Sequence, residues 1–480
     1  MNNSNSYSNS SRRVFLRSAA GLALASGRIG QHFSLPLAMG LSGLAGLAAQ
    51  QAQAADTSGY KALVCLFMYG GNDAHNWVVP VDATGYAQYA QARNALALPL
   101  GSLQPITSSS QDAGRAFGMP AELAPLRALY EQGQAAIIAN VGPLLRPISK
   151  AELNAGSAVP PRVFSHNDQQ STWQSGSAEG ARSGWGGRIG DILATANGQP
   201  LFTTVSATGN AVYLAGNNVV QYQVNAAGPV GVNGLANNWL LGAPQGSTSL
   251  RQMLADAGAT PLQREYTRVV QRAISAEATL RGALANVSVP PIPATPLVWT
   301  GGSTTLDKEA LARQLRMVAQ LIAANQGLGM RRQVFMVSIG GFDTHAHQLR
   351  DQSGLMTRVA NSVRYFNDTI AALGLGPNVT LFTASDFGRT LASNDDGSDH
   401  GWGSHHFAVG GAVRGREIYG RFPVTALGTA DDVGSGRLLP STSVTQFAAS
   451  LGRWMGLSTT ELATVLPNLG QFNAGTMGFL

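Results

Sequence analysis

Cysteine is nearly missing from this sequence: Cys65 stands alone among 480 residues. It can form no disulfide within the chain and cannot supply the thiolates of an iron–sulfur cluster. Its position inside an apolar run fits a buried, inert thiol. Charge is sparse as well, at 12%. No basic run exceeds Arg331-Arg332, which argues against a nucleic-acid surface. No stretch beyond residue 54 approaches the ~18 apolar residues of a membrane span. Few charges beside 57 glycines predict many tight turns rather than long solvated helices.

The N-terminus carries an export pattern. Ser11–Arg17 reads SRRVFLR, a twin-arginine pair. A mildly apolar stretch follows at Pro36–Ala49, then Ala52-Gln53-Ala54, a small-x-small site for signal peptidase. Residues 1–54 are therefore predicted to be a twin-arginine signal cleaved after Ala54, with the translocase as the partner in export. The remaining chain would be periplasmic or secreted, without a membrane span. The segment holds four arginines and no acids, so the formal charge of +6 falls to +2 without it.

The roughly 425 residues that follow can bury a large core. Lys61–Tyr69 is apolar on both faces, as a strand inside a parallel sheet should be. Helical patterns at Tyr86–Ala95, Ala121–Gln132 and Ala181–Ala196 alternate with strands at Ala135–Val141 and Leu201–Val205. This alternation predicts an α/β fold with a doubly wound, mostly parallel sheet over residues 55–480. Residues 206–330 read as a central insertion, irregular at first, then helical over Leu250–Leu284 and Asp307–Asn325. The alternation resumes with strands at Gln333–Ile339 and Val379–Ala384. Between them runs a helical stripe of Leu355, Val359, Val363, Phe366, Ile370 and Leu373, and Ser443–Met455 closes the chain as a helix.

Three apolar strands lead into aspartates: Asp73 in LFMYGGND, Asp343 in VSIGGFD and Asp386 in LFTASD. The carboxyl ends of strands in an open parallel sheet form its ligand crevice. Carboxylates gathered at one rim repel each other unless a cation holds them. Beyond the signal, His75, His166, His345, His347, His400, His405 and His406 all lie near these aspartates or in two short motifs, Phe164–Trp173 and Asp399–Phe407. Mixed carboxylate and imidazole donors predict a centre for one or two divalent ions, zinc or manganese. The four-residue spacing of Asp343 and His347 predicts one face of a first helical turn. The motif DHGWGSHHF offers further donors, of which one or two are expected to touch metal. Each aspartate taken singly is as well explained as a helix cap, and each histidine as a hydrogen-bonded structural residue.

Arg389, in SDFGRT, is predicted either to clamp the oxygens of an ester or to pair with a neighbouring carboxylate. Ser165, in FSHNDQQSTW, is a candidate nucleophile or an ordinary helix cap, with Ser171 and Thr172 as weaker rivals.

The twin-arginine start, GGND, SH, GGFDTH, SDFGRT and DHGWG together resemble the bacterial family called domain of unknown function 1501. That family is similar in turn to the alkaline phosphatase and sulfatase superfamily, which implies an alkaline-phosphatase-like sheet carrying metals at strand ends. The resemblance implies Asp73 as the first-strand ligand, Asp343 with His347 as a pair, Asp386 as the late-strand ligand, and a histidine of the DHGWGSHH loop as the last; His400 and His405 are the expected donors of that loop. Phe387 stands where the superfamily has a histidine, so either His400 takes that place or the second metal is lost. No Cys- or Ser-x-Pro-x-Arg motif surrounds Cys65, which argues against formylglycine sulfatase chemistry.

These readings predict an exported metal-dependent hydrolase of small-molecule or polymer phosphate esters, or of related sulfates or phosphonates. The alternative is a non-catalytic periplasmic binding or assembly protein that keeps the fold.

Overall fold

The computed structural model describes residues 54–480 apart from 233–234, 236–238, 241–242, 245, 257–259 and 473–476. Residues 1–53, nearly all of the segment expected to direct export, and parts of the irregular stretch after residue 230 lie outside the described residues. Residues 55–480 form a single compact unit.

A ten-stranded sheet runs through it. In chain order its strands are β1 (Lys61–Met68), β2 (Ala135–Gly142), β3 (Thr204–Ser206), β4 (Tyr222–Asn225), β5 (Gly228–Pro229), β6 (Arg332–Ile339), β7 (Val379–Ser385), β8 (Ser404–Val409), β9 (Ile418–Tyr419) and β10 (Thr442–Ser443). The spatial order is β9-β2-β8-β7-β1-β6-β3-β4-β5, with β10 also on β2. Only β5 and β8 run against the others. The mostly parallel α/β architecture predicted from the alternation is the one observed.

The sheet is wound on both faces. Side chains of β1 alternate, as the period of two requires. Ala62, Val64, Leu66 and Met68 join one core cluster, and Leu63, Cys65 and Phe67 the other. Helices α3 (Ala310–Ala323) and α4 (Gln348–Ala372) cover the first face with Leu315, Ile322, Val359 and Val363. Helices α2 (Trp185–Leu193) and α5 (Val444–Trp454) cover the second with Trp185, Ile189, Phe447 and Leu451. Burial pushes the Cys65 thiol far above its ordinary pKa, so it stays protonated.

Residues 206–330 divide their roles. β4 and β5 lengthen the sheet at one edge. The expected Leu250–Leu284 helix breaks into Gly246–Ala255 and Pro261–Ala285, because Thr260 caps Gln263 and Pro261 opens a new first turn. Helix α3 packs on the sheet itself as the crossover that leads into β6.

Register positions the site. Met68 is level with both Ile339 and Ser385, so β1, β6 and β7 end at one rim. Gly70-Gly71, Gly341–Asp343 and Asp386 continue from there.

Candidate metal centre

The paired glycines have a steric cause. Gly70 has φ +117°, and a Cβ on it would lie 2.3 Å from the Asp343 amide nitrogen. Gly71 has φ +85°, and its Cβ would lie 2.4 Å from the Phe387 ring. Only glycine lets the three strand ends approach this closely.

Among the described residues, one group of three acidic or imidazole side chains has its ligand atoms all within 4.8 Å of one another: His166, Asp343 and His400. His166 opens helix α1 (His166–Ser175), and its Nε2 is 3.5 Å from Asp343 Oδ2. His400 ends the strand Ser398–His400, which pairs with Arg389–Ser393, and its Nε2 is 3.2 Å from Asp343 Oδ1. His345 joins from the exposed side, its Nε2 3.1 Å from Asp343 Oδ1 and 3.0 Å from His400 Nε2. Phe387, fully buried, packs against the rings of both His166 and His400 at 4.9 and 4.6 Å between centroids.

The outer nitrogens decide what the inner ones can do. His400 Nδ1 lies 2.8 Å from the Phe164 carbonyl, which only accepts, so Nδ1 carries the hydrogen. Burial first, then the charges of His166 and Arg389, lower the His400 pKa despite that bond, so the ring is neutral near pH 7. Its Nε2 lone pair therefore faces a carboxylate. His166 Nδ1 lies 2.6 Å from Asp386 Oδ2, which also accepts from Gln170 Nε2, one turn along α1, at 2.9 Å. This bond, above all, raises the His166 pKa. Its Nε2 lone pair accepts a proton or a metal ion, either of which relieves the same repulsion. Two imidazoles with their outer nitrogens held by acceptors, converging on one carboxylate, form a donor set fitted to a divalent cation.

Asp343 is ionised at neutral pH. Its burial alone would raise its pKa, but the Arg389 hydrogen bond and charge, with His345 and His166, bring it below the ordinary value. Arg389 Nη1 sits 2.7 Å from Asp343 Oδ1. The same nitrogen donates to the Gly70 carbonyl at 3.3 Å, Nε and Nη2 both donate to Ser398, and the side chain is fully buried. The pairing alternative is the observed one, and no edge of Arg389 remains to clamp an ester.

Other expected donors lie elsewhere. Asp73 is past the rim, fully buried, with Oδ2 hydrogen-bonded to Arg93 and Gln348. Its carboxylate is not part of the three-residue group. Asp386 reaches the group through His166 instead of joining it. Asp343 and His347 share no helical face, because α4 begins only at Gln348. His347 caps it in the left-handed region, φ 53°, and its Nδ1 pairs with Asp396 at 2.9 Å. His405 is buried on β8, accepting from the Asn140 amide at 3.0 Å and stacked on Phe422. His406, buried beside it, meets Thr383 and Trp173. Ser165 is the N-terminal flanking residue of α1, but its hydroxyl donates to Asp168 Oδ2 at 2.9 Å rather than capping a backbone amide.

His166 was visible in the sequence, inside the motif that drew attention to Ser165. Its signal was the adjoining Gln170, four residues on, which shares its face of α1.

Residues 60–466 match the family described as "Protein of unknown function (DUF1501)". No curated protein matches the sequence. Among solved structures, the chain is similar to Ps i-CgsB in complex with k-i-k-neocarrahexaose, at 11% identity and TM-score 0.33, over 87% of this chain and 78% of that one. It is similar to the PsFucS1 sulfatase from Pseudoalteromonas sp., at 9% identity and TM-score 0.31, over 87% and 70%. It is also similar to the lipoteichoic acid synthase LtaP from Listeria monocytogenes, at 8% identity and TM-score 0.31, over 87% and 81%.

Proposed function

We propose a function for this chain, which belongs to the DUF1501 family: an exported hydrolase of phosphate esters, or of related sulfates or phosphonates, that works with a divalent metal. His166 Nε2, Asp343 and His400 Nε2 would hold the ion. The observation that carries the reading is the convergence of His166, Asp343 and His400, ligand atoms within 4.8 Å of one another, with the outer nitrogen of each imidazole held by an acceptor. Two imidazoles and a carboxylate suit zinc or manganese. Such an ion supplies Lewis-acid polarisation of an ester oxygen and neutralises charge as the ester breaks.

The chain's own groups prepare that chemistry. Asp386 and Gln170 orient His166, the Phe164 carbonyl orients His400, and Arg389 fixes Asp343. Phe387 closes the inner side of the two rings against water. His345, with Asp399 3.4 Å from its Nδ1, is placed to pass a proton at Nε2 on the open side. Ser165, one residue before His166 and hydrogen-bonded to an ionised Asp168, is the nucleophile of this proposal. The twin-arginine pattern at Ser11–Arg17 supports export.

A second reading, a metal-holding periplasmic binding or assembly protein without turnover, has its own support: the Ser165 proton already has an acceptor, and Arg389 has no free edge. Metal analysis of the purified protein, with a panel of nitrophenyl phosphate mono- and diesters and sulfates, separates the two. Stoichiometric metal, its loss in His166→Ala and Asp343→Asn, and ester turnover that falls in Ser165→Ala are expected. Metal without turnover on any ester leaves the binding protein standing. A wild-type protein carrying no metal sinks both.

A further inference from the structure

With Arg389 committed to Asp343, the centre still needs a group that recognises the negative charge of an ester. Three guanidiniums in its surroundings have carboxylate partners: Arg389 on Asp343, Arg93 on Asp73 and Arg162 on Asp168. Arg437 differs. Its Nε donates to the carbonyl of His400 at 2.8 Å and its Nη1 to that of Gly434 at 3.2 Å. Among the described residues, Nη2 has no hydrogen-bond partner and no carboxylate pairs with the side chain. The guanidinium lies over the Phe164 ring, 4.9 Å from its centre.

These contacts close a triangle around one metal-holding residue. The His400 ring is held by the Phe164 carbonyl, and the His400 carbonyl by Arg437. The Phe164 ring in turn supports the guanidinium, as cation–π geometry favours. A half-buried cation fixed at two of its nitrogens keeps an unpaired charge in a set orientation. The N–H donors of Nη2, already ordered by those two bonds, suit the oxygens of a tetrahedral anion better than a flexible ammonium would.

We propose that Arg437, stacked on Phe164, is the anion-recognition subsite of this centre and takes a tetrahedral oxyanion, phosphate or sulfate, on its open Nη2. The inference rests on the ester-hydrolase reading and names the group that selects its substrate class. It replaces Arg389 in that role.

The test is calorimetric titration of inorganic phosphate, and separately of sulfate, into the purified protein with Mn²⁺ and again after chelator treatment. At least one anion is expected to bind the wild type, and whichever binds more tightly names the ester class. Arg437→Gln should weaken that binding roughly ten- to a hundredfold, with metal content unchanged. Arg437→Lys should fall between, because it keeps charge without the ordered N–H donors of Nη2. Phe164 is 40% exposed, so Phe164→Leu is expected to fold regardless of Arg437 and to weaken binding several-fold. Wild-type affinity in Arg437→Gln, or in both Arg437→Lys and Phe164→Leu should the Gln variant not fold, overturns the proposal. So does a wild type that binds neither anion. Metal binding and ester turnover that persist unchanged in Arg437→Gln remove this inference alone. Arg437-dependent anion binding in a protein that takes up no metal removes only the metal-centre reading.

Discussion

Asp73 and Asp343 follow strands that lie side by side, yet they do different work. Asp343 sits on the rim with its side chain 45% exposed, held there by Arg389. Asp73 has gone under the rim into a pair with Arg93, both side chains without exposure. Burial raises the Asp73 pKa, and the Arg93 charge only partly offsets that. The carboxylate is thus costly to bury and more costly to abandon, since removing one partner strands the other's charge. Asp73→Ala is expected to cost about 3–5 kcal/mol of stability while leaving metal stoichiometry unchanged. Chemical denaturation and metal analysis of the same preparation check this. Loss of metal without loss of stability would return Asp73 to the role its sequence position implied.

At the scale of elements, the centre depends on how strands end and helices begin. β1, β6 and β7 finish level, and the Gly70-Gly71 turn lets the segment after β6 lie directly on the segment after β1. Gly70→Ala would put a Cβ into the Asp343 backbone at a φ that L residues rarely adopt. The expected outcome is a loss of at least about 2 kcal/mol, seen as a lower melting temperature, with weaker metal binding as Asp343 shifts. An unchanged melting temperature would show that the close approach is not required. The late start of α4 is the other decisive local event. It turns Asp343–His347 from a helical pair into a loop that throws the two side chains apart.

At the scale of the whole molecule, three histidines among the described residues are buried: His75, His405 and His406. Burial lowers the pKa of each to about 3. In the unfolded chain they would titrate near 6.5. The folded state therefore excludes protons that the unfolded state binds. Stability is fully present above about pH 6.5 and declines as pH falls from there toward 3. The slope approaches about 1.4 kcal/mol per pH unit for each histidine, or about 4 for all three. Asp73, whose pKa is raised by burial, works in the opposite sense at the acid end. Urea midpoints at pH 7.5, 6 and 5 should fall progressively, and a flat profile would contradict the neutral buried assignments.

The sequence by itself determined the alternation of apolar strands and amphipathic helices, and hence a sheet wound on both faces. Those patterns are local, because a side chain's burial follows the period of its own element. The sequence also singled out Asp343 and His400, two of the three side chains that the fold brings within 4.8 Å, since strand ends and a histidine-rich loop are visible in one dimension. Tertiary structure decided which polar groups meet. His166 entered because α1 carries it to Asp386, while Asp73, His347 and His405 left because Arg93, Asp396 and the β8 pairing claimed them. The spent edge of Arg389 and the open edge of Arg437 were equally illegible. A charged group's role depends on the partner that the fold brings within about 3 Å, and residue spacing carries no record of that partner.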